Sequence, residues 1–98
     1  MVSLTPVHGR RVAHIVSEGP QPGDFAFTSC GGVESAHLLF RCPCGCGAIG
    51  GVNLHPCGQA PVWTWDGNRE RPTVQPSVRF LDGCRWHGFL RAGAWESC

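Results

Sequence analysis

Hydrophobic and polar residues alternate along several short stretches of this chain, and a period of two predicts β-strands. The alternation predicts strands over residues 11–17, 24–29, 36–42, 48–54 and 62–66. Residues 71–80 are also extended, but two prolines interrupt them and predict an edge strand or a bent one. Residues 86–97 predict a tight hairpin around Ala92 and Gly93. Because no ten-residue stretch has the helical period of 3.6, we predict a mainly β fold, a small antiparallel sheet or meander.

The strand predicted over residues 36–42 has one face formed by Leu38, Phe40 and Cys42. This register directs Cys42 inward at the end of the strand. Residues 48–54 predict the return strand, so residues 42–47 form the tip of a hairpin.

Three thiols lie at alternate positions of that tip, at Cys42, Cys44 and Cys46, among a proline and two glycines. Core packing does not require such an arrangement, and residues at i and i+2 bridge each other as a disulfide only with strain. Clustered thiols on a tight turn are typical of a site for a soft cation. The tip therefore predicts a metal site, provided that more ligands come from elsewhere.

The second half of this site is predicted at Cys84 and His87, a C-x-x-H pair after an Asp-Gly turn. Zinc needs four ligands, and the chain offers five candidates. They are Cys42, Cys44, Cys46, Cys84 and His87. Our preferred set is Cys42, Cys44, Cys84 and His87 with one zinc ion, with Cys46 competing and Cys98 in reserve. Cys30 and Cys57 stand alone in the sequence, so we predict that they are buried thiols or turn residues rather than metal ligands.

The length of 98 residues predicts a single domain, with residues 1–9 a loose lead-in and residues 36–98 a metal-stapled β core. A net charge of +1 gives weak support for nucleic acid as a partner and none for a membrane. The chain has no lysine, which excludes Schiff-base chemistry. With an odd number of cysteines and no apolar leader, we predict a cytoplasmic protein, where clustered cysteines more often hold metal than disulfides.

Three motifs stand in the order FRCPCGCG, RPTVQPSV and DGCRWHGFLRAG, at residues 40–47, 71–78 and 82–93. In this order the chain resembles a family of short bacterial and phage proteins classed as a domain of unknown function. Some of its members carry the misleading label "ammonia monooxygenase". The resemblance covers residues 38–98 and implies a metal site at the five candidate ligands. It also implies an accessory role beside ubiquitin-type conjugation genes. Gly88 departs from the family, which usually has an aromatic residue there, and this implies altered packing beneath the site.

Our first functional hypothesis is a structural zinc module that binds a protein partner, because a closed site uses the ion as a staple. Its binding surface is expected at the C-terminal arginines, with Trp86 exposed among them. An iron–sulfur protein with a [2Fe–2S] cluster on three cysteines and one histidine is the alternative. A zinc module that binds nucleic acid is a further alternative. Catalysis by zinc or by a Cys84–His87 pair is not favoured, since nothing supplies an orienting third group.

Overall fold

The computed structural model describes residues 6–16, 19–55, 62–80 and 83–98, which form two antiparallel β-sheets. In chain order the strands are β1 (Val7–His8), β2 (Phe25–Cys30), β3 (Val33–Arg41), β4 (Ile49–Asn53), β5 (Thr64–Trp65), β6 (Val74–Arg79), β7 (His87–Arg91) and β8 (Ala94–Ser97). The larger sheet has the order β1-β8-β7-β6-β5, and the smaller sheet has the order β2-β3-β4. These ranges contain no helix, so none is present there that could cross a membrane. The predicted all-β fold class is confirmed.

Three local predictions differ from the structure. Residues 11–16 do not form a strand, because Arg11 makes a single parallel bridge to Phe25 and the chain then leaves the edge of β2. Within the predicted lead-in, Val7–His8 forms β1 and pairs with β8. For residues 71–80 the alternative of an edge strand is wrong, since β6 lies between β7 and the short β5, whereas the register shift between Val74 and Val78 fits the alternative of a bent strand.

The core lies between the two sheets and is formed by side chains from both. Its buried members are Phe25, Leu38, Phe40, Cys42, Val52, Val74, Val78, Trp86, Leu90 and Trp95. The rings of Phe40 on β3 and Trp95 on β8 lie 4.5 Å apart between centroids, so the closest aromatic contact crosses from one sheet to the other. Burying one such side chain contributes about 1.5–3 kcal/mol. The alternation predicted for β3 is confirmed, because Leu38, Phe40 and Cys42 all face this core.

Trp86 is buried, so the prediction that it is exposed among the arginines is wrong. Its ring packs edge-on against Trp95 at 5.7 Å, and its Nε1 donates a hydrogen bond to Ser97 Oγ at 3.0 Å. The absence of a side chain at Gly88 makes this packing possible. A Cβ there would lie 2.6 Å from the Trp86 ring and 2.2 Å from the Glu96 carbonyl oxygen. The indole of Trp86 therefore occupies the space beside Gly88.

A buried carboxylate fixes the chain where it enters the smaller sheet. Asp24, with 1% of its surface exposed, accepts hydrogen bonds from Arg10 Nε at 3.0 Å, Arg10 Nη2 at 2.8 Å and the Gln21 amide at 2.9 Å. Burial alone would raise the pKa of Asp24, but the bonds from Arg10 and Gln21 outweigh it and hold that pKa below its ordinary value. The ionised form is therefore the one that the fold stabilises.

We expect Asp24→Asn to lower the free energy of unfolding at pH 7 by about 1–3 kcal/mol, because the Arg10 and Gln21 donors lose their charged acceptor. A carboxyl whose pKa is lower in the folded state stabilises the protein fully above its unfolded pKa, near ~4. That contribution disappears as the pH falls through the folded pKa. Chemical denaturation between pH 7 and pH 2 measures both effects.

The matched control is Glu34→Gln, since Glu34 is exposed on β3. Its stability should follow that of the wild type at every pH. If Asp24→Asn also follows the wild type, the buried carboxylate does not stabilise the fold.

Candidate metal centre and serine–histidine pair

Two hairpin tips, one from each sheet, bring four cysteines together. The loop between β3 and β4 supplies Cys42, Cys44 and Cys46, and the loop between β6 and β7 supplies Cys84. Cys42 Sγ lies 3.2 Å from Cys44 Sγ and 3.4 Å from Cys84 Sγ, and Cys46 Sγ lies 3.5 Å from Cys84 Sγ. All four sulfur atoms lie within 4.8 Å of one another.

Backbone hydrogen bonds shape both tips. The Cys42 amide donates to the Ala48 carbonyl at 2.8 Å, which closes the thiol loop, and the Gly45 amide donates to the Cys42 carbonyl at 3.1 Å. Gly45 has φ of 89°, a left-handed conformation that glycine adopts without strain. In the other tip, the Phe80 amide donates to the Trp86 carbonyl at 2.9 Å and closes the loop that carries Cys84. The three thiols of the β3–β4 tip therefore stand on a hydrogen-bonded turn.

The spacing of the four sulfur atoms fits a single tetrahedral ion. Four thiolates at the usual Zn–S distance of about 2.3 Å stand about 3.8 Å from one another. The observed separations require only small adjustments to reach that value. A set of four sulfur ligands suits zinc or an iron–sulfur cluster. The cluster could therefore hold a metal ion.

Two thiols of the cluster, Cys42 and Cys84, have pKa values shifted in opposite directions. Burial raises the pKa of Cys42, which is 1% exposed. The backbone amide of Trp86, followed by the thiol of Cys42, lowers the pKa of Cys84 to about 7. A metal ion would enter from the exposed side, where Cys44, Cys46 and Cys84 lie.

His87, a member of our preferred ligand set, does not join this group of sulfur atoms. Its Nε2 lies 2.8 Å from Ser77 Oγ. The reason is the pleat of the sheet: His87 is the first residue of β7, and its neighbour Gly88 faces the core. The imidazole therefore points to the outer face of the larger sheet and not toward the hairpin tip. The preferred set of zinc ligands that includes His87 stays a prediction.

Ser77, which sequence reasoning missed, is presented by a bulge in β6. Val74 pairs with Leu90 and Val78 with Gly88, so three residues of β6 face one residue of β7. The bulge contains Ser77 and a cis peptide bond before Pro76. Trp63 Nε1 donates to the Ser77 carbonyl at 3.2 Å and holds the bulged backbone. The available sequence signal was Pro76-Ser77 in an extended segment with two prolines, which is typical of a bulge.

An open groove of about 690 Å³ lies on the same outer face, beside Ser77. Its lining includes Thr64, Thr73, Gln75, Pro76, Phe89 and Arg91. Gln75 and Pro76 directly precede Ser77, and Phe89 is the residue of β7 opposite the bulge. Ser77 and His87 do not themselves line the groove, but Ser77 directly follows Pro76, and His87 lies two residues before Phe89 on the same face of β7.

The remaining cysteines lie apart from this cluster or outside the described residues. Cys30 is disulfide-bonded, so its interpretation as a thiol or turn residue is wrong. Cys98 is a free, exposed thiol whose amide donates to the His87 carbonyl at 3.0 Å. Cys57 lies outside the described residues.

Fold and site together define a small all-β protein with a four-cysteine cluster and a hydrogen-bonded serine–histidine pair. The chain belongs to the family described as bacterial ubiquitination-like system serine protease (BubE), whose sequence model matches residues 12–98. The prediction that the chain resembles a bacterial family is thus confirmed. No curated protein and no solved structure matches the chain.

The geometry of the cluster predicts which thiols a metal ion protects from alkylation. We expect added zinc or cadmium to slow the reaction of the exposed thiols Cys44, Cys46 and Cys84 with iodoacetamide, because bound thiolates are no longer free nucleophiles. The buried Cys42 should react slowly with or without the ion. Cys98, outside the cluster, should react equally fast with and without the ion. Peptide mass spectrometry after timed alkylation measures each site. Protection of Cys98, or of only two cluster thiols, would contradict a four-sulfur site.

Proposed function

We propose that the protein is a serine protease in which Ser77 is the nucleophile and His87 is the general base. The observation that carries this proposal is the distance of 2.8 Å between Ser77 Oγ and His87 Nε2. A nucleophile and a base within hydrogen-bond reach are the first geometric requirement of covalent hydrolysis. The family name supports the class of activity, and it also supports a role within a bacterial ubiquitination-like system.

The first half of the reaction forms an acyl-enzyme. The Ser77 hydroxyl donates its hydrogen bond to Nε2 of neutral His87, and Oγ attacks the carbonyl carbon of a peptide bond as the proton moves to Nε2. The tetrahedral intermediate then collapses as the C–N bond breaks. His87 returns the proton to the departing amine, so Nε2 is free again.

The second half releases the acyl group. Water takes the place of the amine, and His87 Nε2 removes a proton from it as the water oxygen attacks the ester carbonyl. This intermediate collapses as the bond between the carbonyl carbon and Ser77 Oγ breaks, which gives a free carboxyl product, and the proton on Nε2 returns to Ser77 Oγ. Both residues are half-buried on the outer face of the sheet, where an extended substrate can reach them.

The four-cysteine cluster is proposed to bind one zinc ion that acts as a structural staple. The ion would join the β3–β4 tip of one sheet to the β6–β7 tip of the other, closing a loop of about forty residues. Cys84 lies three residues before His87, so the staple also fixes the start of β7. On this proposal zinc positions the catalytic histidine and takes no part in the chemistry.

Three further expectations from the sequence stay predictions. A [2Fe–2S] cluster is the alternative occupant of the cysteines, and its colour distinguishes it from zinc. We now expect the protein partner to be a substrate and not the ligand of an interaction module. The hypothesis that the protein binds nucleic acid gains no support. A cytoplasmic location remains open to test.

We expect Ser77→Ala to lower kcat/KM for a peptide or ester substrate by roughly 10³-fold or more, because the nucleophile is lost. His87→Ala should lower it to a similar extent, and the double variant should lose no more than either single one. A fluorophosphonate probe should label wild type at Ser77. The control is Ser29→Ala, at an exposed serine of β2, which should retain wild-type activity and labelling. Hydrolysis that survives in folded Ser77→Ala would refute the proposed nucleophile.

We expect purified wild type to contain about one zinc per chain and Cys84→Ser to contain much less, because one of four sulfur ligands is lost. The variant should also unfold at a markedly lower temperature, since a small domain loses its staple. Elemental analysis and calorimetry measure these effects, with Cys98→Ser as the matched control. A brown protein that absorbs visible light would assign the cysteines to an iron–sulfur cluster. Wild-type stability in Cys84→Ser would refute the staple.

A further inference from the structure

We propose that the groove beside Ser77 is the substrate-binding cleft, and that it selects an extended peptide with an apolar residue next to the scissile bond and an acidic residue two positions further out. The apolar side chain would lie on Phe89, and the carboxylate would bind Arg91. This inference rests on the proposed serine protease function and names the substrate class of that site.

The register of β6 and β7 places residues that line the groove next to Ser77 and His87. Phe89 faces the bulge that contains Ser77, and it follows His87 by two residues on the same face of β7. Arg91 follows by two more residues and lines the far part of the groove. From His87 to Arg91 the strand rises about 13 Å, at ~3.3 Å per residue, which matches about four residues of an extended peptide.

The groove residues next to Ser77 and His87 include two apolar ones. Phe89 contributes its ring and Pro76 its pyrrolidine. An aromatic floor of this kind favours burial of an apolar side chain over a polar one. The residue beside the scissile carbonyl would therefore be apolar.

The far part of the groove carries a positive charge with a fixed position. The Arg91 guanidinium lies 4.2 Å from the centroid of the Phe89 ring, and its Nη1 is 2.7 Å from Glu96 Oε1. Both charged side chains are accessible to solvent, with 55% and 37% exposed. A guanidinium group has five N–H donors. The Glu96 carboxylate uses only part of them, so the remaining donors can bind a carboxylate of the substrate. A basic residue at this point would be repelled by Arg91.

The chain offers a pair of substitutions with opposite expected effects. Arg91→Gln removes the proposed contact, and Glu96→Gln removes the competitor for the same guanidinium. The probes are internally quenched peptides with Leu beside the cleaved bond and Asp, Asn or Lys two residues further out, on either side of that bond. The ratio of kcat/KM for Asp over Lys should be roughly fivefold in wild type, about one in Arg91→Gln and higher than wild type in Glu96→Gln. Arg11→Gln, which removes an arginine paired with Glu70 away from the groove, should keep the wild-type ratio.

The apolar position is tested with Phe89→Leu and Phe89→Ala. Phe89→Ala should raise KM for the Leu peptide roughly tenfold more than for the matched Gly peptide. Phe89→Leu should restore most of the difference, which a general loss of folding would not do. An Asp over Lys ratio near one on both sides of the bond in wild type, or one unchanged in Arg91→Gln, would overturn the proposal.

Two measurements separate this inference from the proposed function. Hydrolysis of p-nitrophenyl acetate by wild type and Ser77→Ala reports on the nucleophile without an extended substrate. Binding of the fluorescent Asp and Lys peptides to Ser77→Ala, measured by anisotropy, reports on the groove without cleavage. Ser77-dependent ester hydrolysis with no peptide preference would leave the protease standing and reject the groove. Peptide binding with an Asp preference but no Ser77-dependent hydrolysis would reject the protease and retain the groove.

Discussion

The structure depends on the contact between two hairpins that belong to different sheets. The core joins the sheets through their inner faces, where Phe40 packs on Trp95. The four thiols meet at one end, because Cys42, Cys44 and Cys46 come from the smaller sheet and Cys84 from the larger one. A domain of 98 residues buries a modest core, so the proposed metal staple at this end would add a second connection between the sheets.

The β6–β7 hairpin that supplies Cys84 also carries the serine–histidine pair, and this links stability to the proposed chemistry. His87 begins β7 three residues after Cys84, while Ser77 lies on the other arm in β6. A shift of the Cys84 turn would move the bulged strand β6 and the regular strand β7 relative to each other. Loss of the 2.8 Å contact would be the direct result. The cluster and the pair are therefore one structural unit, although they lie on different faces of it.

Most strands could be predicted from the sequence because alternation and turn residues are local signals. The hairpin of β3 and β4 with thiols at its tip follows from Leu38, Phe40 and Cys42 sharing a face. The prediction of a strand at residues 11–16 was wrong because alternation reports local preference, whereas a strand also needs a partner edge of sufficient length. The arrangement of two sheets, and the pairing of β1 with the distant β8, depend on contacts remote in sequence. No local pattern contains that information.

Of the site, the thiols could be predicted, but the partner of His87 could not. The C-x-x-H spacing favours a shared metal ion whenever both residues lie on one turn, yet here the turn ends between them. In a strand, successive side chains point to opposite faces, so the identity of the first strand residue decides the direction of the imidazole. With Gly88 facing Trp86 in the core, His87 faces outward, as Ser77 does beside the buried Val78. A slip of one residue in either strand would place only one of the two on the outer face. The bulge in β6 and the missing side chain at Gly88 are thus what allow the serine and the histidine to meet.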